Sequence, residues 1–382
     1  MNTMATDAAN PNLASHTDKA KHEAVKEYYG KKLNKTEDLA TNCCITGKAP
    51  PAYIRDILKL IHPTTVAKYY GCGLCLPDYD LTGAHVLDLG CGAGRDVYIA
   101  SKLVGPTGRV VGVDMTQEQL DSAREQQAYH AETFGYQNTE FVQGYLEKLA
   151  EIPELNPGSF DVIISNCVLN LCTDKQAVLK ACFDLLKPGG ELYFSDVYAN
   201  RRVPEVLQKD ELLWGECLSG ALYWNDFVRM SQRAGFCDPR LVEDAPITIG
   251  NKKVLQMFDD AGQGLLRFYS ATYRLMKVEE LEQDNEDYGQ AVMYKGTIPR
   301  APSAWRLDKH HVLETGHIMS VCGNTWRMLK ANPRLAPHFH FFGSFDNHFG
   351  LKNKRDGGLP FDVMVAPATG CCKGSNTGAC CS

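Results

Sequence analysis

The sequence predicts an α/β protein, a doubly wound parallel sheet followed by a smaller α+β domain. From about Leu81, short apolar runs alternate with stretches of helical periodicity, which is the pattern of a parallel sheet covered by helices. Past about Arg240 this alternation stops, and residues 268–276 and 290–294 are predicted as strands of the smaller domain. A chain of 382 residues also exceeds one ordinary domain.

The first predicted strand, residues 86–89, runs into Gly90, Gly92 and Gly94. Alternate glycines let the backbone turn sharply and approach a ligand, while the N–H groups of a helix starting near Gly94 can face an anion. The dinucleotide fingerprint requires a further glycine where Arg95 stands, so NAD is poorly supported. The turn therefore predicts another nucleotide-like ligand.

Acidic residues accompany this turn and narrow the choice of ligand. Asp88 with the three glycines forms an acidic-x-Gly-x-Gly-x-Gly pattern that resembles the first motif of the class I S-adenosylmethionine (SAM) methyltransferases. That resemblance implies that Asp88 binds the amino group of SAM. A second apolar run ends at Asp114, placed like the residue that binds the ribose hydroxyls. A glycine turn without a ligand would not need carboxylates at both strand ends.

The elements around this motif follow in order. Residues 1–17 are predicted to be disordered, and residues 18–33 to form a short amphipathic helix that serves as a lid or arm. A helix is predicted over residues 52–60. Thr116, with Gln119 three residues later, predicts a capped helix that reaches about Phe134 and ends at Gly135.

Residues 141–147 are predicted as the third strand and its exit loop, where this superfamily usually holds the adenine. We therefore take Met115, Tyr145 and Leu146 as candidate SAM contacts. Residues 160–165 are predicted as the fourth strand, with Asn166 at its carboxyl end, where ligands bind in open α/β sheets. Asn166 is accordingly a further candidate SAM contact.

Composition limits the partners. The net charge of −6 and the lack of a basic run give no reason to expect binding to nucleic acid or to a membrane surface. We therefore expect a small-molecule substrate. The N-terminus has no targeting character, and no apolar stretch reaches spanning length, so a cytoplasmic location is expected.

The fifteen cysteines are the unusual feature of the composition. In a reducing compartment they are expected to be thiols, ligands or catalytic groups rather than a disulfide framework. Cys167 follows the fourth strand, and Cys217 lies in a helix predicted from Pro204 through residues 212–224, beyond the fifth strand. Both should therefore lie near the SAM methyl group, with Cys44 and Cys72 ahead of the sheet.

An O- or N-methyltransferase needs a base at this place, yet no histidine lies near the strand-four or strand-five exits. A soft trivalent ion needs thiolates and no base. One family shares a set of segments with this chain, at residues 41–46, 69–73, 88–96, 113–116, 165–170, 191–198 and 214–224. On these segments the chain resembles the arsenite methyltransferases.

That resemblance implies that Cys72, Cys167 and Cys217 hold As(III), that Cys44 and Cys72 form a disulfide that reduces the methylated arsenic, and that thioredoxin or glutathione resets it. Cys43 stands beside Cys44 and is an alternative redox partner. Tyr70 is expected near the sulfonium through its electron-rich face.

The sequence alone leaves three functions open: the arsenite methyltransferase, a SAM methyltransferase for a small organic acceptor, and a thiol-rich metalloid-binding protein without catalysis. Cys75 and Cys172 fit either a structural or a functional role, and we take them as structural. The expected organisation is an arm at 1–48 carrying Cys43 and Cys44, a SAM-binding domain at 49–245, an α+β domain at 246–366 and a disordered cysteine-rich tail at 367–382, in a monomer.

Overall fold

The computed structural model describes residues 11–29, 49–69, 75–210, 213–214, 217–249, 256–259, 262 and 265–352, with side chains from residue 19 onward. Cys43, Cys44, Tyr70, Cys72 and the tail at 367–382 lie outside the described residues. Within the described part of the chain, no helix is long and apolar enough to cross a membrane.

The strands and helices are numbered separately in chain order. The strands are β1 (His85–Leu89), β2 (Arg109–Asp114), β3 (Thr139–Gln143), β4 (Phe160–Asn166), β5 (Leu186–Ala199), β6 (Leu222–Tyr223), β7 (Arg240–Pro246), β8 (Phe268–Met276), β9 (Ala291–Tyr294), β10 (Ala304–Arg306), β11 (Val312–Glu314), β12 (Ile318–Ser320) and β13 (Phe339–Phe342). The helices are α1 (Pro11–Glu27), α2 (Ala52–Leu58), α3 (Pro63–Ala67), α4 (Arg95–Val104), α5 (Gln117–Glu125), α6 (Gln127–Phe134), α7 (Lys175–Leu185), α8 (Glu205–Gln208), α9 (Trp224–Ala234) and α10 (Gly323–Ala331).

An eight-stranded sheet forms the centre of the molecule, in the order β3-β2-β1-β4-β5-β8-β7, with β6 paired to β5. The first five strands of that order are parallel, and β8 is antiparallel to both of its neighbours. The order reverses between β1 and β4, so the carboxyl ends of these strands border a crevice suited to a ligand. The predicted α/β class with a doubly wound sheet is confirmed.

Apolar cores lie on both faces of the sheet because alternate side chains of a strand point to opposite faces. Val86 packs with Tyr98 of α4 and Leu120 of α5, whereas its neighbour Leu87 packs with residues of α7 and α9 such as Phe227. Burial on both faces explains why these strands read as nearly continuous apolar runs in the sequence.

The placement of β8 differs from the prediction. Phe268–Met276 is a strand with the predicted bounds, but it lies in the main sheet between β5 and β7 rather than in the smaller domain. Eight of its nine residues are buried, as in a strand with both faces covered. Arg274 of β8 forms a fully buried ion pair with Glu191 of β5 at 2.6 Å, which joins the two strands.

A smaller α+β unit follows β8, as predicted. It contains a three-stranded sheet in the order β12-β9-β13, the hairpin β10-β11 and α10. Trp305 of β10 is buried against the α4 side of the main sheet, and its indole N–H donates to the carbonyl of Asp78 at 2.7 Å. The predicted division of the chain at residue 245 stays a prediction, although the main sheet continues to Met276.

Three helix predictions need correction. Helix α1 begins at Pro11, within the segment predicted to be disordered, and proline suits the first turn of a helix. The predicted end of this helix near residue 33 lies outside the described residues. The helix predicted from Thr116 to Phe134 is divided at Gln126, where φ −96° and ψ 0° interrupt the helix. The Thr116 side chain makes no capping hydrogen bond, whereas Gly135 ends α6 in a left-handed conformation as predicted.

The helix predicted from Pro204 through residue 224 is also not continuous. Helix α8 ends at Gln208, residues 217–220 form a turn, and a new helix, α9, begins at Trp224. The backbone of Cys217 has φ 60°, which is incompatible with a right-handed helix. Cys217 therefore lies in a turn and not on a helix.

Candidate active site

An open cavity with an empty volume of about 990 Å³ lies at the carboxyl ends of β1, β2 and β4. Its wall contains eight residues that the sequence singled out: Asp88, Gly90, Gly92, Asp114, Met115, Leu146, Asn166 and Cys167. Gly94 and Tyr145 lie just outside this wall, as the N-cap of α4 and as the residue before Leu146. The cavity therefore gathers most of the described candidate residues into one place.

The glycine turn, residues 90–93, forms part of the cavity wall. Gly90 has φ +67°, and a Cβ on it would lie 2.5 Å from Val168, the residue after Cys167. Gly92 has φ +52°, and a Cβ there would meet nothing closer than 3.9 Å. The left-handed conformation at both positions favours glycine. The turn is thus closed against Val168 on one side and open toward the cavity at Gly92.

Asp114 is held by the backbone of this turn. Its carboxylate accepts hydrogen bonds from the N–H of Gly92 at 2.9 Å and from the N–H of Thr116 at 2.8 Å. Burial raises the pKa of Asp114, and these N–H groups oppose the rise by stabilising the charged form. The side chain is consequently fixed at the end of β2, facing the cavity.

Three aspartates, Asp88, Asp96 and Asp114, line the cavity together with Arg95. Burial, and then the nearby charges of Asp96 and Asp114, raise the pKa of Asp88 well above its usual range. Arg95 forms an ion pair with Asp96 at 2.8 Å, and its guanidinium lies 3.0 Å from the centre of the Tyr69 ring. A cationic ligand would relieve the repulsion among the carboxylates. The electrostatics fit SAM, which carries an ammonium and a sulfonium.

Asp96 is a cavity residue that the sequence analysis missed as a site residue. The side-chain amide of Asn166 donates to the Tyr69 hydroxyl at 2.5 Å and to the Asp96 carboxylate at 3.4 Å. These bonds join the ends of β4 and the start of α4 to the segment before the sheet. An acidic residue in the first turn of the helix after the glycine motif was the available signal.

Helix α1 lies along one side of the cavity. His22, Val25 and Tyr29 line the cavity wall. The Nε2 atom of His22 lies 3.1 Å from Glu147 Oε1, and Lys26 donates to the Tyr145 hydroxyl at 2.6 Å. These contacts join residues that are far apart in sequence, and no local sequence pattern predicted them.

Glu147 has a perturbed acidity that reflects these contacts. Burial alone would raise its pKa, but hydrogen bonds from His22 and from the backbone N–H of Thr173 lower the pKa to about 2. The carboxylate therefore stays ionised and available to hold α1 against the cavity at neutral pH.

Cys167 and Cys217 are brought together beside the cavity. Both are buried in one apolar cluster with Val25 and Trp214, and the Cys217 thiol donates to the carbonyl of Cys167 at 3.3 Å. Cys167 also lines the cavity and is engaged in a disulfide in this structure, so it must be reduced before its sulfur can bind a soft ion. The proposed third ligand, Cys72, lies outside the described residues.

Both cysteines have a left-handed backbone, with φ 57° for Cys167 and φ 60° for Cys217. Only one other non-glycine residue among those described, Arg300, has a positive φ. Such conformations cost free energy and persist where the surroundings impose them, often at functional sites. The two cysteines therefore lie in turns whose conformation the surrounding structure imposes.

Cys172, assigned a structural role from the sequence, also lines the cavity. Burial raises the pKa of its thiol well above the usual range, and its sulfur lies 3.6 Å from the carbonyl of Val168. A neutral buried thiol is a poor nucleophile and a poor ligand. Its position at the wall came from the 3-10 turn after β4, which the sequence did not indicate.

Comparison with known proteins identifies related methyltransferases. A methyltransferase domain family matches residues 80–235. An arsenite methyltransferase from Aquipseudomonas alcaligenes is 55% identical over 353 residues, covering 92% of this chain and 100% of that protein. An arsenite methyltransferase from Mus musculus is 44% identical over 323 residues, covering 84% of this chain and 83% of that protein.

Among solved structures, the crystal structure of an arsenic(III) S-adenosylmethionine methyltransferase from Chlamydomonas reinhardtii is similar with a TM-score of 0.75. It is 44% identical in sequence and covers 80% of this chain and 100% of that one. The fold class predicted from the sequence, a class I SAM-methyltransferase fold, is thereby confirmed. Sequence identity over nearly the whole length, together with this fold, shows that the chain belongs to the arsenite methyltransferase family.

Proposed function

We propose that this protein transfers the methyl group of SAM to trivalent arsenic held by cysteine thiolates. The observation that carries the proposal is the adjacency of an acidic, glycine-floored cavity to the buried pair Cys167 and Cys217. SAM supplies an activated methyl group bonded to a sulfonium sulfur. Asp88 would bind its ammonium group and Asp114 its ribose hydroxyls, while Gly90 and Gly92 would line its methionine part.

The thiols would bind the acceptor and present it to the methyl group. Cys167, Cys217 and Cys72 would each replace one oxygen of arsenite by sulfur, releasing water and leaving the arsenic lone pair free to attack. Methyl transfer then needs correct positioning above all, because the acceptor requires no base. The single histidine in the described cavity wall, His22, lies 3.1 Å from Glu147, which further favours an acceptor that needs no deprotonation by it.

Transfer to the lone pair leaves arsenic formally pentavalent, so two electrons are needed before the next round. We propose that Cys44 and Cys72 supply them by forming a disulfide, and that thioredoxin or glutathione reduces this disulfide. The products would be methylarsenite and dimethylarsenite. We also propose a cytoplasmic monomer, since fifteen cysteines suit a reducing compartment.

Incubation of the protein with arsenite, a thiol reductant and methyl-labelled SAM tests the activity. Labelled methylated arsenic supports it, a labelled product without arsenic indicates an organic acceptor, and bound but unmethylated arsenic indicates sequestration. For the reductive step, Cys44→Ser should reduce turnover of arsenite more than turnover of methylarsenite. Equal loss on both substrates would count against a redox role confined to the first round.

A further inference from the structure

A buried polar group made of Asn170, Lys175 and Asp196 lies next to the turns that carry Cys167 and Cys217. Their exposed fractions are only 1%, 9% and 1%. None of the three lines the SAM cavity. Burying a lysine and an aspartate is costly unless each is hydrogen-bonded, so a group of this kind outside the cavity calls for a role.

Asp196 and Lys175 hold Asn170 from two sides. Asp196, in β5, accepts hydrogen bonds from the backbone N–H of Asn170 at 3.1 Å and from its side-chain amide at 2.7 Å. The Lys175 ammonium, at the start of α7, donates to the carbonyl of Asn170 at 3.2 Å and to that of Cys172 at 2.8 Å. The backbone that follows Cys167 is thereby fixed through its own polar groups.

Asn170 is also where the second thiol-bearing turn contacts the first. A Cβ on Gly220, three residues after Cys217, would lie 2.1 Å from the Asn170 carbonyl oxygen. The two turns therefore touch backbone to backbone at this point, and the Cys217 thiol closes the other end of the contact on the Cys167 carbonyl. Any shift of Asn170 would move one turn relative to the other.

We propose that Asn170, Lys175 and Asp196 are positioning residues that hold the turns of Cys167 and Cys217 together, so that both sulfurs reach one arsenic atom. The inference rests on the proposed function. The left-handed backbone conformation of both cysteines is unfavourable in an unconstrained loop, and the hydrogen bonds of this buried group stabilise it. Residues that orient ligands in this way typically change ion affinity 10- to 100-fold when replaced.

The test uses Lys175→Met in the full chain, which removes the ammonium and keeps most of the side-chain length. We expect arsenite affinity to fall by about 10- to 100-fold, with SAM affinity unchanged. X-ray absorption of the arsenic-saturated variant should show fewer arsenic–sulfur bonds than the unmodified protein, a change that mere loss of stability would not produce. Lys175→Arg, which keeps a cation, should restore part of the affinity.

Lys180→Met is the matched control, because Lys180 lies on the same helix but is exposed and forms its ion pair with Asp184 of that helix. It should bind arsenite like the unmodified protein. Arsenite affinity and sulfur count unchanged in Lys175→Met would overturn the positioning role. If Lys175→Met loses SAM binding too, Asp196→Asn is measured in its place and decided by the same two outcomes.

The thiol assignment itself is tested separately by Cys217→Ser. If the arsenic coordination of Cys217→Ser equals that of the unmodified protein, the proposed function fails at its ligands. If Cys217→Ser loses a sulfur bond and Lys175→Met does not, only the positioning role fails.

Discussion

Replacement of Gly90 by alanine tests the contact between the SAM-binding turn and the arsenic thiols. Gly90 has φ +67°, and its added Cβ would lie 2.5 Å and 2.6 Å from the two methyl carbons of Val168. Gly135 is the control, because it has a left-handed conformation with φ +81° and ψ 11°, and a Cβ there would meet nothing within 4 Å. Both glycines have a positive φ, and only Gly90 adds a steric contact.

The magnitudes follow from those two terms. A left-handed conformation costs a non-glycine residue about 1–2 kcal/mol, and the reduced freedom of the unfolded chain offsets about 0.4–1 kcal/mol of it. Gly135→Ala should therefore lower the free energy of unfolding by about 1 kcal/mol. Gly90→Ala adds an overpacking term of about 1–3 kcal/mol, for a loss of about 2–4 kcal/mol.

The assay is urea denaturation of both variants, combined with calorimetric titration of SAM. Because Val168 follows Cys167, displacement of Val168 should also weaken SAM binding in Gly90→Ala by about tenfold, equivalent to about 1.4 kcal/mol. Adding Val168→Ala to Gly90→Ala should recover most of the overpacking term. Equal losses in the two single glycine variants, or strict additivity with Val168→Ala, would refute the reasoning.

Three further predictions concern the site. Cys167→Ser or Cys217→Ser should lower methylation of both arsenite and methylarsenite by more than about 100-fold, measured with methyl-labelled SAM; unchanged turnover of either variant would exclude it as a ligand. SAM affinity should rise as pH rises above the usual pKa of an aspartate, about 4, because burial and nearby carboxylates raise the pKa of Asp88 in the free protein and a cationic ligand lowers it, so that binding releases a proton. Calorimetry of Asp88→Asn should show no such release. His22→Ala should lower the free energy of unfolding at neutral pH by about 1–2 kcal/mol and raise the pKa of Glu147 from about 2 toward its usual value, as measured by NMR titration. Because the folded-state pKa of Glu147 is depressed, the unmodified protein should lose this stabilisation as pH falls from about 4.5 toward 2. An unchanged Glu147 titration in His22→Ala would contradict the His22 contact.

The parallel part of the sheet was predictable because each strand is a local apolar run that ends in a glycine or a polar residue. The bounds of β8 were also predictable, since Phe268–Met276 is rich in aromatic and other strand-forming residues. Its partners were not, because insertion between β5 and β7 depends on pairing with residues about 80 positions earlier and 30 positions earlier in the chain.

The same division holds within the site. Asp88, Asp114 and Cys167 lie at strand ends, where topology alone predicts a ligand. His22 reaches the cavity from a helix 125 residues away from its partner Glu147, and such a contact leaves no local trace. The left-handed turns at Cys167 and Cys217 likewise depend on tertiary contacts rather than on the residues next to them.

The position of β8 sets a lower limit on the size of a working catalytic fragment. A shortened protein that stops at residue 245 would strip β5 of nine paired residues and leave β7 with no neighbour at all in the sheet. Two bare strand edges of this kind invite self-association. Engineering of a minimal arsenic-methylating enzyme should therefore retain the chain at least through Met276, whatever is done with the segments beyond it.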